Sequence, residues 1–307
     1  MRLSTPLKRL PPFFIRLRAQ PIELVLLSCA LFSILILFLM LTFIVREGSM
    51  AFMRVGLELI LGQRWETKHE LYGAVPLMYS SIMIVSGALA ISVPLGICTS
   101  IFISEILPSQ LRDIVKSMIE LLASIPSIIY GFIGVAFLVP LVASIFGLQS
   151  GATALTASLI LAVMSLPTIV GLSGEIISAV PKEYKDAALA IGATRWQMIK
   201  EIVLPLSKSG ILASVMLGFG RAIGETVAVL MVAGNVARIP IPPWNYLAPA
   251  YAVTAVIAIQ MGEASVGSLE YSALFGLGLI LFIITFTINT IADIAVRRGP
   301  IKRGVQL

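Results

Sequence analysis

The chain has 307 residues, of which 58% are hydrophobic and only 12% are charged. A soluble domain carries about twice that fraction of charged residues, so the composition excludes an ordinary soluble protein and indicates a membrane protein. The net charge of +6 is no indication of nucleic-acid binding, because membrane proteins distribute their basic residues asymmetrically for a different reason. Both cysteines, Cys29 and Cys98, lie in apolar runs; we therefore expect buried thiols, with no disulfide framework and no metal site.

Long charge-free runs divide the chain into predicted membrane spans. About 20 apolar residues at ~1.5 Å each cross the hydrocarbon, and lipid offers the backbone no hydrogen bonds, so such runs are helical. The stretch 121–174 is too long for one span and must turn back at the glycine-bearing segment 146–153. We predict six spans, at approximately 24–45, 76–103, 118–145, 153–173, 210–233 and 271–292.

A further apolar piece, 248–262, follows a proline-rich segment and is short for a span, so we predict a re-entrant helix or one on the outer surface. Six spans place both termini on one side of the membrane. Sixteen of the 22 basic residues then lie on that side, in the N-terminal segment 1–23, the loops 104–120 and 175–208, and the tail 297–307. Five lie on the other side and Arg221 lies within the membrane. This bias predicts that both termini are cytoplasmic.

A polar island between the fourth and fifth spans, Asp186 to Pro205, has a regular spacing. An acidic residue and two alanines are followed by three residues and a glycine, then by nine residues and an Ile-x-Leu-Pro group. The residues of this pattern are Asp186, Ala187, Ala188, Gly192, Ile202, Leu204 and Pro205.

The physics of this island predicts a helix–turn–helix elbow outside the bilayer. The segment 182–191 is rich in alanine and favours a helix, Gly192 interrupts it, and 196–203 can form a second short helix. The small alanines allow another protein to approach closely, and Ile191, Trp196 and Ile202 offer apolar anchors. We interpret the elbow as a protein-docking element; an amphipathic helix on lipid headgroups is the alternative.

The fifth predicted span carries two opposite charges. Arg221 falls near the bilayer centre, where an arginine costs at least ~2.5 kcal/mol and must face protein or water. Glu225 is one helical turn further on, so the two side chains can neutralise each other. Gly218, Gly220 and Gly224 permit close approach of a helix or a ligand. Because a guanidinium suits tetrahedral oxyanions, the pattern predicts an anion path; an ion pair that only fixes packing is the alternative.

The elbow pattern resembles the cytoplasmic EAA loop of bacterial ABC importer permeases, with Asp186 in place of the glutamate of that family. The segment 218–235, with its Arg-Ala-Ile-Gly-Glu-Thr run ending at Thr226, resembles the signature of phosphate-specific ABC importer permeases, nearer the C-type than the A-type subunit. The resemblance covers essentially the whole chain. It implies an all-α polytopic membrane protein with six transmembrane helices in the type I ABC importer permease fold.

By this resemblance, the chain is expected to be a transmembrane subunit of an ATP-driven phosphate importer and to form half of the translocation path. The residues of the island pattern would couple to a cytoplasmic ATPase, and Arg221, Glu225 and Thr226 would line the substrate path. The implied partners are an A-type permease subunit, an ATPase dimer and an external phosphate-binding protein. The implied location is the plasma (inner) membrane of a bacterium or archaeon.

No residue of this chain is expected to be catalytic and no cofactor is expected to bind to it. It has no G-x-x-x-x-G-K-[ST] loop, so ATP and Mg²⁺ are expected to be used by the partner ATPase. An ABC permease for sulfate or molybdate is the first alternative. An ion-coupled secondary carrier is a second, although such carriers often show repeated halves and none is evident here. An intramembrane protease is disfavoured, because the sequence has neither paired intramembrane aspartates nor a His-Glu-x-x-His run.

Overall fold

The computed structural model describes residues 21–298, and these residues are mostly helical. The expected N-terminal segment 1–23 and basic tail 297–307 therefore lie almost wholly outside the described residues. The elements in chain order are α1 (Pro21–Val55), α2 (Glu58–Leu61), β1 (Trp65–Glu66), β2 (Leu71–Tyr72), α3 (Val75–Ile101), α4 (Ser109–Ser124), α5 (Ser127–Ile133), α6 (Val139–Phe146), α7 (Ala154–Ser178), α8 (Lys182–Ala190), α9 (Arg195–Met198), α10 (Leu204–Gly224), α11 (Val227–Val232), α12 (Val253–Gln260) and α13 (Leu269–Arg298). The π-helical segments Phe102–Ile106, Gly134–Leu138 and Ile199–Val203 extend or join several of these helices.

Two compact units divide the chain after Arg46. In the first unit, the structure describes the part of α1 up to Arg46, an apolar helical stretch whose side chains are almost all exposed. The second unit begins at Glu47 and holds the remaining elements. Exposed apolar side chains along a whole helix are the pattern expected of a surface that faces lipid.

Six helical segments of the described chain are long and apolar enough to cross a membrane, and the six-span prediction is confirmed. Their bounds are Ile22–Val55, Val75–Ile106, Ser127–Phe146, Ala154–Ser178, Arg195–Gly224 and Leu269–Ile294. The apolar piece at 248–262 contains only the short helix α12.

The third span begins at Ser127 rather than at the expected 118. The helix α4 ends at Ser124, and Ile125 is extended with ψ 127°, because a following proline disfavours the helical conformation of the residue before it. Pro126 then starts α5. The charged residues Lys116 and Glu120 therefore lie on a separate helix that precedes the span.

The helix α7 lies at the centre of the second unit, with α3 running parallel to it and α10 antiparallel. Small residues allow these close approaches: Gly96 of α3 and Gly218 of α10 both lie against the buried side chain of Ile169. A Cβ at either glycine would come within 2.7 Å of Ile169. Ser214 and Ser173 join α10 to α7 through a 2.5 Å hydroxyl contact. Small residues at four-residue spacing are a common device for packing helices within membranes.

The expectation that both cysteines are buried is wrong, since Cys29 and Cys98 are exposed free thiols. In a membrane protein an apolar run can face lipid, which is as apolar as a protein core. An apolar neighbourhood in the sequence therefore does not imply burial within the chain.

Candidate functional site

The predicted elbow forms as two short helices joined by a tight turn, and we define the elbow as residues 182–203. Its first helix, α8, begins directly after Pro181. Gly192 has φ +90°, a left-handed conformation that glycine adopts at little steric cost. Thr194 then starts α9 with a capping box: the Gln197 backbone N–H donates to its Oγ1 at 3.2 Å, and its own N–H donates to Gln197 Oε1 at 2.8 Å.

The outer face of the elbow carries unusually exposed apolar side chains. Ile191 is 87% exposed and Trp196 is 62% exposed, and Ala187 and Asp186 also lie at the surface. Tyr184 is a further exposed aromatic residue, which the sequence-based prediction did not include. Its spacing from Ala187 and Ile191 puts it on the same helical face as these two residues. These side chains together give the elbow an exposed apolar surface.

Three of the residues in the predicted coupling pattern point inward instead. Ala188 is buried, and Ile202 and Leu204 are partly buried against the cluster beneath the elbow. Ile202 is therefore not the surface anchor that the sequence predicted. The backbone of Ile199–Val203 is π-helical and continuous with α10, and this segment packs against residues of α3 and α7 that are far away in the sequence.

We call the cluster beneath the elbow the elbow core. It joins α8 and α9 to the ends of three spans, α3, α7 and α10. Its buried members are Ile101, Ile177, Val180, Ala188, Met198, Ile199, Val203 and Ile211. The elbow is thus packed onto the ends of three membrane-spanning helices.

The fifth span is interrupted where the sequence predicted a continuous helix. The helix α10 ends at Gly224, and Glu225 is extended with φ −71° and ψ 129°. The Thr254 hydroxyl of α12 donates to the Glu225 carbonyl oxygen at 2.9 Å, which satisfies a backbone group that the break exposes. Irregular backbone at membrane depth is tolerated only where protein or a water-filled cavity surrounds it.

This break corrects the predicted pairing of Arg221 with Glu225. The prediction required both residues on one helical face, but Arg221 lies in the last turn of α10 and Glu225 lies beyond its end. In the described part of the chain, no ion pair joins these two residues. Both side chains, and that of Thr226, are half-buried. The charges are therefore neighbours that do not neutralise each other directly.

The glycines around Arg221 divide into two kinds. Gly218 packs tightly against α7, whereas a Cβ added at Gly220 or Gly224 would have no other described residue, beyond its own helical turn, within 4 Å. Arg221 thus lies beside a side of α10 that the described chain leaves open. Tyr130 of α5 donates its hydroxyl to the Leu122 carbonyl oxygen at 2.8 Å.

Six membrane-spanning helices, an elbow with an exposed apolar face and an interrupted span that carries Arg221 are the features of a transport permease. Residues 92–298 match the family described as the inner membrane component of binding-protein-dependent transport systems. The chain belongs to this family, and it is a multi-pass inner-membrane protein.

Several curated relatives cover most of the chain. The phosphate transport system permease protein PstC of Mesorhizobium japonicum is 38% identical over 81% of each chain. The probable ABC transporter permease protein YqgH of Bacillus subtilis is 33% identical over 86% of each chain. A probable PstC of Methanocaldococcus jannaschii is 31% identical over 88% of this chain and 91% of that one. The resemblance to phosphate-specific ABC importer permeases is confirmed.

Solved structures support the same fold. A chain of a bacterial alginate ABC transporter, in complex with an alginate-bound periplasmic protein, superimposes with a TM-score of 0.65 at 17% identity, covering 90% of this chain and 95% of that one. A chain of the MetNI methionine ABC transporter in an inward-facing conformation gives a TM-score of 0.53 at 19% identity, covering 73% and 93%. The predicted ABC importer permease fold is confirmed.

Proposed function

We propose that this chain is a membrane subunit of an ATP-driven phosphate importer and forms half of its translocation path. The observation that carries the proposal is the interrupted fifth span, which leaves Arg221 unpaired with Glu225 beside open space. Relatives named as phosphate transport permeases, such as that of Mesorhizobium japonicum, support the choice of phosphate.

Arg221 is the proposed anion-binding group of the path. Its guanidinium presents a planar fork of donors that matches two oxygens of a tetrahedral anion, and such charge-assisted bonds are about twice as strong as neutral ones. Because Gly220 and Gly224 have no side chains, an anion can approach this part of α10 closely. The Thr226 hydroxyl, which donates to the Gly224 carbonyl oxygen at 3.3 Å, can turn to bond the anion instead.

Glu225 is the proposed discriminating group. Phosphate near neutral pH retains a proton and can donate a hydrogen bond to a carboxylate, whereas sulfate is fully ionised and meets repulsion. Rejection of a competitor by an unfavourable contact is a general route to specificity. The arrangement therefore favours phosphate over sulfate.

The elbow is the proposed contact with a cytoplasmic ATPase dimer. Its exposed face, with Ile191 and Trp196, is of the kind that seats in a groove on a partner. The ATPase would bind ATP and Mg²⁺, and this chain would bind neither. In the proposed assembly, a second permease subunit completes the path, an external binding protein delivers phosphate, and both termini of this chain are cytoplasmic.

Uptake of radiolabelled phosphate and sulfate, by cells that carry or lack the chain, tests the proposal. We expect Arg221→Ala to lower phosphate uptake at least about tenfold, because one charge-assisted hydrogen bond is worth ~1.5–3 kcal/mol. We expect Glu225→Gln to lower phosphate uptake and to raise the ratio of sulfate uptake to phosphate uptake, because an amide N–H can donate a hydrogen bond to sulfate. Arg238→Ala and Glu263→Gln, which change exposed residues between the fifth and sixth spans, are matched controls.

Unchanged phosphate uptake in both path variants would defeat the proposed roles of Arg221 and Glu225. Uptake of sulfate or molybdate, but not phosphate, that depends on this chain would favour the alternative oxyanion permease. Uptake that persists without ATP and follows an ion gradient would favour a secondary carrier.

A further inference from the structure

A largely buried ion pair ties the elbow to the π-helical segment that continues α3. Lys185 Nζ of α8 donates to Glu105 Oε1 at 2.6 Å across 80 positions of the sequence. The side chains are 15% and 6% exposed, whereas the neighbouring charged residues of α8, Lys182, Glu183 and Asp186, are exposed. Lys185 is therefore the charged residue of α8 that turns toward the spans.

Glu105 lies in a turn that is itself firmly held. It belongs to the π-helical segment Phe102–Ile106, which ends the second span, and the Leu107 backbone N–H closes that turn on the Phe102 carbonyl oxygen at 2.9 Å. The next residue back, Ser104, donates its hydroxyl to the Gly174 carbonyl oxygen of α7 at 3.1 Å. The backbone that carries the Glu105 carboxylate is thus continuous with α3 and, through Ser104, bonded to α7.

The ion pair is a directional contact, whereas the contacts of the elbow core are apolar and non-directional. Apolar contacts are non-directional, so an apolar interface can slide by a fraction of a residue without losing much area. A short bond between two charged groups has a defined distance and angle, and removal of one partner leaves an uncompensated buried charge. The pair therefore resists displacement of α8 along the ends of the spans.

We propose that Lys185 and Glu105 form a latch that makes α8 and the end of α3 move as one body. The turns at Pro181 and Gly192 flank α8 and would otherwise let it shift on its own. With the latch closed, a displacement applied to the exposed face of the elbow reaches α3 and, through Ser104, α7. This inference rests on the proposed function, in which an ATPase applies that displacement.

The test measures how many phosphate ions are moved for each ATP hydrolysed, using the complete importer in lipid vesicles. We expect Lys185→Met and Glu105→Gln to leave the ATPase bound and active but to lower this ratio about fivefold or more, within the range of typical coupling between sites. Lys185→Arg retains the charge and should retain most of the ratio. Lys208→Met, which changes an exposed lysine of α10 outside the elbow, should leave the ratio unchanged.

A second variant keeps the test decisive if a single change prevents assembly. The exchanged pair Glu105→Lys with Lys185→Glu restores opposite charges, and it supports the latch if it assembles with a ratio above that of either single variant. The latch is overturned if Lys185→Met and Glu105→Gln keep the wild-type ratio. It is also overturned if no variant of the pair assembles, because the pair is then a folding element. A wild-type complex that moves no phosphate contradicts the proposed function itself, which separates the two failures.

Discussion

At the scale of single residues, the described chain separates two charges that the sequence predicted to be paired. Four-residue spacing predicted that Arg221 and Glu225 share a helical face, but the helix ends between them. The two residues could be singled out from the sequence, because charges in an apolar run are conspicuous. The break could not be predicted from the spacing, since the hydroxyl that satisfies the Glu225 carbonyl oxygen belongs to Thr254 of a helix much later in the chain.

Two of the three glycines near Arg221 lead to different predictions for the stability of the protein. Gly218→Val would place a side chain against Ile169, and we expect a loss of stability of about 1–3 kcal/mol from overpacking. Gly220→Ala points into open space within this chain and should leave stability unchanged or slightly raised, because alanine favours a helix. Thermal unfolding of the purified variants in detergent compares the two. Equal unfolding temperatures for the two variants would contradict the packing of α10 on α7.

At the scale of elements, the elbow illustrates what local sequence can and cannot predict. Its position, its turn at Gly192 and its second helix are local properties, and the structure has each of them. Which side chains face outward is not local, because the elbow core forms from helices far apart in the sequence. Ile202 consequently lies against that core, and Tyr184 lies at the surface.

The exposed face of the elbow leads to a binding prediction. We expect Ile191→Ala and Trp196→Ala each to weaken binding of the ATPase by at least about 1–2 kcal/mol, because exposed apolar anchors dominate the energy of such interfaces. Their exposure means that folding should be little affected. Affinity for the purified ATPase subunit, measured by calorimetry in detergent, is the readout.

The matched control for this prediction is Ile241→Ala. Ile241 is 94% exposed and lies in the loop between the fifth and sixth spans, away from the elbow in the sequence. The Ile241→Ala variant should bind the ATPase with unchanged affinity. An equal loss of affinity in Ile241→Ala, or none in the two elbow variants, would contradict docking at the elbow.

At the scale of the whole molecule, the spans could be predicted because lipid imposes length and apolarity on every crossing. The internal order of the helices could not, since α3 and α10 meet α7 through small residues whose partners are not visible in the sequence. Neither could the Lys185–Glu105 pair, whose members lie in different loops of the predicted topology.

The most direct test of the account is accumulation of radiolabelled phosphate by lipid vesicles that contain the complete importer. The account predicts that phosphate accumulates against its gradient when ATP is supplied on the elbow side, that a non-hydrolysable analogue gives no accumulation, and that sulfate is excluded. Accumulation that is equally fast without ATP or without the ATPase subunit, or that is equal for phosphate and sulfate, would contradict it.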